Sequence, residues 1–198
     1  MKKILFCIFF VLVTSVTVYA QIMVDDFETN QFGWTETTQR GGTAIIKDGV
    51  MRLEAEDGVI TTCYAPFDYN KPFIMQVEVL ADKIAKKPEF GLLFDYEDDQ
   101  NFIIFKLLKD RAVLERFVAD QIVARKVEDL KLDKGKSVGL QIEVEYTLNE
   151  LVFRVNGVKA LSYRRRTPYG EFLLGTSGIG FFAALDQKVS FDNLKIEQ

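Results

Sequence analysis

The stretch "EFGLLFDYEDDQNFIIFKLLKDRAVLERF", Glu89–Phe117, decides how this chain folds. Its apolar runs, "EFGLLF", "NFIIFKLL" and "AVLERF", are rich in Phe, Ile, Leu and Val. They are separated by "EDDQ" and by Lys109-Asp110, which carry no apolar residue. Short β-prone runs joined by polar turns are the strands of a meander. "VADQIVARKV" follows and supplies a fourth strand.

The same pattern extends in both directions. "TAIIKDGVMRLEA" sets two strand-like runs around Asp48-Gly49, a dipeptide suited to the positive φ angles of a tight hairpin turn. "LVFRVNGVKALSYR" repeats the device at Asn156-Gly157. "FIMQVEVL" and "KSVGLQIEVEY" alternate apolar with polar residues, so each has one face for a core and one for water. "VSFDNLKIE" closes the chain with another strand. The best helical candidate is the short segment Lys126–Leu132, "KVEDLKL", which suits a turn or a strand end equally well. No internal repeat and no linker divides the chain, and the Gly-bearing stretch 167–178 reads as a connection within one domain. The expectation from this pattern is one all-β domain over residues 21–198, a sandwich or a barrel.

The first twenty residues are expected to be removed. "MKK", the apolar run "ILFCIFFVLVTSVTV" and Val18 and Ala20 before a cut form a secretory signal. That run is shorter than the ~20 residues of a spanning helix, and no second one follows. Cys7 lies within it without a lipid-attachment pattern. The reading is a protein exported across the inner membrane, periplasmic or extracellular, with no membrane span.

Composition narrows the chemistry. The chain has 29 acidic and 25 basic residues, and losing Lys2 and Lys3 takes its net charge from −4 to −6. Nucleic acid is therefore not the expected partner. There is no histidine, which removes Ser-His-Asp, Cys-His and His-ligated zinc sites. Only Cys63 survives cleavage, so no internal disulfide forms, and its setting in "VITTCYA" suits a buried strand position.

The segments "DDFET", "GW", "GLLFDYEDDQNFIIFKLLKDRAVLERF", "IEVEYTLNELVFRVNG" and "GIGFFAALDQKVSFDNLKI", in that order, carry a resemblance. The chain resembles the concanavalin A-like lectin/glucanase sandwiches of the laminin-G and family-16-glycosidase kind found in secreted bacterial proteins. The resemblance covers nearly all of residues 21–198. It implies a jelly roll of two curved antiparallel sheets, with a concave sheet that often carries carbohydrate and, commonly, a structural calcium. Family-16 glucanases carry their carboxylates on one strand as Glu-x-Asp-x-x-Glu. That run is absent here; "IEVEYTLNE" comes closest, with Glu143, Glu145 and Glu150 but no Asp.

Four groups of residues are candidates for a site. The acidic knot Asp95, Glu97, Asp98 and Asp99 reads as a solvated hairpin tip or as a weak calcium or sugar-hydroxyl contact. It fails the EF-hand pattern, with Gln100 and Lys106 at the positions that need Gly and Glu. Asp25 and Asp26 at the start and Asp192 at the end would meet if the first and last strands pair. They would then either hold structural calcium or make local bulge and backbone bonds. Trp34 and Tyr64, Tyr69, Tyr96 and Tyr169 are aromatics for sugar stacking, with a core role as the alternative for Trp34. Lys106, Arg116 and Arg125 lie inside apolar strands, where a charge needs a partner or a wet face, and are candidate ligand contacts. Arg164, Arg165 and Arg166 form the one strong basic run, suited to an acidic polysaccharide, a phosphate, a protein partner or a solvated strand end.

The resulting expectation is a secreted, non-catalytic carbohydrate-binding domain that contacts glycan through Trp34, Tyr96, Lys106, Arg116 and Arg125. It needs no cofactor beyond structural calcium. The first alternative is a glycoside hydrolase using Glu143 and Glu145, which alternation puts on one strand face. The second is an envelope module that meets a protein through the arginine run.

Overall fold

The computed structural model describes residues 20–39, 41–66, 68, 71–81, 87–131, 138–147, 149–164 and 178–198. Fifteen strands form two antiparallel sheets among them. One sheet runs β13 (Val158–Arg164), β12 (Glu150–Val155), β11 (Val138–Thr147), β6 (Phe73–Ala81), β15 (Lys188–Glu197), β4 (Val50–Ala55), β3 (Gly42–Lys47) and β2 (Thr37–Gln39). β1 (Gln21–Asp25) completes it by pairing with the far half of β15. The other sheet runs β10 (Gln121–Asp129), β9 (Arg111–Val118), β8 (Asn101–Leu108), β7 (Glu89–Asp98), β14 (Gly178–Ala184) and β5 (Gly58–Tyr64). This is the jelly-roll sandwich that the resemblance implies, and of the two architectures the alternation allows it is the sandwich. No helix of the described residues is long and apolar enough to cross a membrane.

Local chemistry sets the turns. Asp48 and Gly49 both have positive φ, 55° and 71°, and join β3 to β4 in two residues. Asn156 and Gly157, at 52° and 74°, do the same between β12 and β13. The meander of Glu89–Phe117 is real, with β7, β8, β9 and β10 adjacent in order. Of the readings open for Lys126–Leu132, the strand end forms: Lys126–Asp129 stay in register with β9, and Leu130 follows as coil. Pairing with a neighbouring strand overrides the weak helical spacing of Val127 and Leu130.

The core lies between the sheets and is mainly aliphatic, with stacked aromatic rings running through it. Phe105 of the six-stranded sheet stacks on Phe153 of the nine-stranded one, centroids 4.3 Å apart, and Phe94 packs on the same ring at 5.6 Å. Phe181 stacks on Phe191 at 4.2 Å. Trp34 lies against the other side of Phe181 at 4.8 Å and is buried. Its indole N–H donates to Asp25 Oδ2 at 2.7 Å, while the Phe27 N–H donates to Asp25 Oδ1 at 3.0 Å. Cys63 is buried nearby, and burial, with help from Asp25, pushes its thiol well above the ordinary range.

Candidate functional site

In the nine-stranded sheet, the central strands β6 and β15 alternate between buried and accessible residues. This is how an antiparallel sheet with one wet face behaves. The six-stranded sheet breaks that rule. Phe90 to Asp95 of β7 are buried without interruption. Leu93, Ile104 and Val113 are buried yet take no part in the cluster between the sheets. They lie on the far face, on which no described strand packs.

Register resolves that outer face into rows across the strands, about 24 Å wide at the usual ~4.8 Å strand spacing. One row is Ile122, Phe117, Phe102 and, past a bulge in β7, Tyr96, Gly178 and Tyr64. The next is Arg125, Glu115, Ile104, Leu93, Gly180 and Thr62. The third is Val127, Val113, Lys106, Gly91, Phe182 and Ile60.

The first row is aromatic. Phe102 and Phe117 stack at 4.7 Å, and Tyr96 tilts against Phe102 at 6.3 Å. Tyr64, at the end of β5, is 72% exposed. The Tyr96 hydroxyl donates to Asp99 Oδ1 at 2.6 Å. Burial, and then that acceptor, raise the phenol well above its ordinary value. Two turn tips are tied beneath the row: the Ala119 N–H donates to Asn101 Oδ1 at 3.1 Å, and the Asp120 N–H to the Gln100 carbonyl at 3.1 Å.

The other rows hold an ion network. Lys106 Nζ lies 2.8 Å from Glu115 Oε2 and 3.1 Å from Glu89 Oε1. Arg125 Nε lies 3.1 Å from Glu115 Oε1. The Glu115 side chain is 3% exposed, Lys106 17% and Arg125 56%. Glu115 Oε2 has Lys106 close by but at an angle that makes no proper hydrogen bond. Burial works against the Lys106 charge, and Glu115 and Glu89 more than offset it, so the ammonium sits above its ordinary pKa. Glu115 is thus a buried brace that fixes a lysine and an arginine at a set spacing.

The acidic knot divides into separate roles. Asp98 Oδ1 accepts from the Gln100 N–H and the Asn101 amide, both at 2.8 Å, and those bonds, in that order, lower its carboxyl. Asp99 accepts from Tyr96. Asp95, with φ 52°, turns inward at the bulge, is buried, and lies 3.7 Å from Arg116 Nη1. Asp98 and Asp99 thus belong to a solvated hairpin tip, and Asp95 does not.

Of the residues singled out for ligand contact, Lys106, Arg125 and Tyr96 come together on the outer face. Arg116 does not join them. It pairs in register with core residue Ile103, on the opposite face from Glu115. Trp34 is a core residue, held there by Asp25. Tyr69 and Tyr169 lie outside the described residues. Glu115, Glu89, Phe102, Phe117 and Phe182 were missed. The signal for Glu115 was present, a lone acid in "AVLERF" beside the arginine that drew attention instead.

The chain-end aspartates are partly brought together. β1 and β15 pair as anticipated. Both Asp25 oxygens, however, are taken by N–H groups in the core. Asp26 Oδ1 accepts from the Glu28 N–H at 3.2 Å, and Asp192 Oδ1 from the Asn193 N–H at 2.7 Å, beside a bulge. Partial burial raises the Asp192 carboxyl, and Glu78 and Asp26 push the same way. Among the described residues, no group of three or more Asp, Glu or Cys is placed to hold a metal ion.

Glu143 and Glu145 share the outer face of the nine-stranded sheet. Arg154 Nη1 bridges them at 2.9 and 2.8 Å, and Gln76 donates to Glu143 Oε2 at 2.8 Å. Glu145 holds the guanidinium above its ordinary pKa against the opposing effect of burial, and Glu143 adds to it. Arg164 is the exposed last residue of β13, on the other sheet from the ion network, and Arg165 and Arg166 lie outside the described residues.

No protein-family model matches the chain, and no curated protein is close to it in sequence. Solved structures do resemble it. The carbohydrate-binding module CBM66 from Bacillus subtilis superposes with a TM-score of 0.60 at 13% identity, over 85% of this chain and 98% of that one. A Bacillus subtilis protein of unknown function with a galectin-like fold gives 0.63 at 14%, over 91% and 98%. The catalytic domain of an endo-1,3-beta-glucanase (laminarinase) from Thermotoga petrophila gives 0.61 at 10%, over 92% and 99%. A binding module and a glucanase match equally well, so the likeness fixes architecture and not activity. By fold, the chain is a concanavalin A-like jelly-roll sandwich of two antiparallel sheets.

Proposed function

We propose that this chain is an exported, non-catalytic glycan-binding protein that holds its ligand on the outer face of the six-stranded sheet. One observation carries the reading: an aromatic row lies beside the Glu89–Lys106–Glu115–Arg125 network, over apolar residues buried on a face that no described strand covers. Aromatic rings suit the apolar faces of sugars, and fixed charged groups suit their hydroxyls. Solved structures of the same fold that are named as carbohydrate-binding modules or glucanases support a saccharide ligand. The pairing of Glu143 and Glu145 on one guanidinium favours binding over hydrolysis.

The test is affinity electrophoresis of residues 21–198 on a panel of polysaccharides, with calcium and with chelator, and with released reducing sugar measured in parallel. Retardation without sugar release, lost in Arg125→Ala and in Phe117→Ala, is the expected result. Sugar release abolished by Glu143→Gln would replace this reading with an enzyme. Retardation unaffected by both outer-face variants would move the site elsewhere on the sandwich.

A further inference from the structure

We infer that the glycan held on this face is a neutral, hydroxyl-rich one, and that the face is built to reject uronate and sulfate groups. The inference rests on the outer-face reading above. It comes from the disposition of charge, which the aromatic row does not determine.

The charged residues placed on this face by register are Glu89, Lys106, Arg111, Glu115, Arg125 and Asp129. Three are acids and three are bases, so the face carries no net charge. Each of its cations already has a carboxylate: Lys106 has Glu115 and Glu89, Arg125 has Glu115, and Arg111 has Asp110 at 3.1 Å. An anionic sugar would compete with Glu89 and Glu115 for Lys106, and at Arg125 it would come up against the carboxylate of Glu115. That acid is 3% exposed and has no water to turn to. Beyond the aromatic row the hairpin tip adds exposed Glu97, Asp98 and Asp99, a negative field across that end of the face.

A neutral sugar meets no such opposition. A hydroxyl both donates and accepts, and the network offers donors and acceptors side by side. Arg125 commits its Nε to Glu115, while its side chain as a whole remains 56% exposed. Lys106 and Glu89 present an ammonium and a carboxylate 3.1 Å apart. An ion pair can be solvated by hydroxyls without being broken, as it would be by water.

The experiment takes a neutral polymer that retards the protein and compares it with the same polymer after its primary hydroxyls are oxidised to carboxylates. We expect binding to weaken about tenfold or more on oxidation, with affinity for the neutral polymer flat between about 0.05 and about 0.5 M salt. Glu89→Gln, which gives the face one net positive charge, should recover binding to the oxidised polymer. Tighter binding to carboxylated or sulfated polymers, falling as salt rises, would overturn the inference and leave the glycan-binding reading intact. Failure of Glu89→Gln to improve binding to the oxidised polymer would also overturn it. Retention on no polymer of either kind would remove the reading and the inference together.

Discussion

Replacing Glu115 with Gln should cost far more stability than its ion-pair distances alone suggest. Lys188 Nζ is closer to Glu54, at 2.6 Å, than Lys106 Nζ is to Glu115, at 2.8 Å. Distance alone would make the first pair the stronger. Exposure reverses the order, because Lys188 and Glu54 are 62% and 42% exposed and Lys106 and Glu115 only 17% and 3%. At 2.6 Å in water-like surroundings two charges attract by about 1.6 kcal/mol, and side-chain ordering and salt leave ~0.2–1 kcal/mol net. Breaking a buried pair costs ~3–5 kcal/mol, since the remaining charge is stranded. Lys106 keeps Glu89 and Arg125 keeps water, so the low end applies: about 3 kcal/mol for Glu115→Gln. That amounts to roughly 6–12 °C in Tm for a domain of this size. Gln fills the same volume, so the loss reports charge and not packing. Urea unfolding of Glu115→Gln, Lys106→Met and their double variant should give a coupling energy of about 2 kcal/mol. The Lys188 and Glu54 cycle should stay below ~1 kcal/mol and vanish in about 0.5 M salt. Equal coupling in the two cycles would refute the argument that burial, and not distance, sets these energies.

Other consequences follow from the core and the strand crossings. Asp25→Asn retains one acceptor and turns an amide N–H₂ toward a buried N–H, costing about 1–3 kcal/mol. Trp34, the only tryptophan, should report it by a changed emission maximum, and unchanged emission with unchanged stability would show that Asp25 does not hold the indole. Gly91→Ala would drive a methyl into the Phe105 carbonyl, with the Lys106 Cα at 3.2 Å, and backbone atoms cannot swing aside. The expected loss is about 3 kcal/mol, at the top of the overpacking range, whereas Gly139→Ala, with only Leu80 Cδ2 at 3.7 Å, should be near neutral in the same melts. Asp192→Asn tests the acids near the chain ends. Because its carboxyl is raised above the ordinary 3.8, the folded chain holds that proton more tightly than the unfolded one. Stability is therefore lost as pH rises through that range. The variant should melt above the parent at about pH 7, with the gap closing below about pH 3.8, and a parent more stable at neutral pH would contradict this.

The parts of the fold legible in the sequence are those set by local chemistry. Asp48-Gly49 and Asn156-Gly157 supply φ angles that other residues resist, and β6 and β11 show one wet face through their alternation. The site was less legible because its central strand, β7, is buried without interruption from Phe90 to Asp95. In "FGLLF" no polar residue marks which side is out, so Leu93 and Leu92 look alike although they face opposite ways. Arg116 and Arg125 looked equivalent for the same reason. A bulge between Ile122 and Ala124 shifts the register, and only pairing with Glu115 puts Arg125 on the outer face. Trp34 was ambiguous because its burial depends on Asp25, nine residues away, as an acceptor.

Stability does not account for the ion network, and this strengthens the case for function. Buried ion triads can be exchanged for apolar residues of similar size at little cost, or even with a gain of ~1–4 kcal/mol. The neighbours of Lys106 and Glu115 are already apolar: Ile104, Val113, Leu93 and Phe182. Lys106→Met with Glu115→Leu would extend that surface across the face while Glu89 and Arg125 remain at the water boundary. The double variant should therefore melt within about 1 kcal/mol of the parent, unlike Glu115→Gln alone. What it cannot keep is the set of donors and acceptors at fixed spacing. If the face holds a glycan through hydroxyls, the variant keeps its fold and loses retardation on the polymer that binds the parent. If it folds and still binds, the aromatic row is sufficient and the network has no part in recognition.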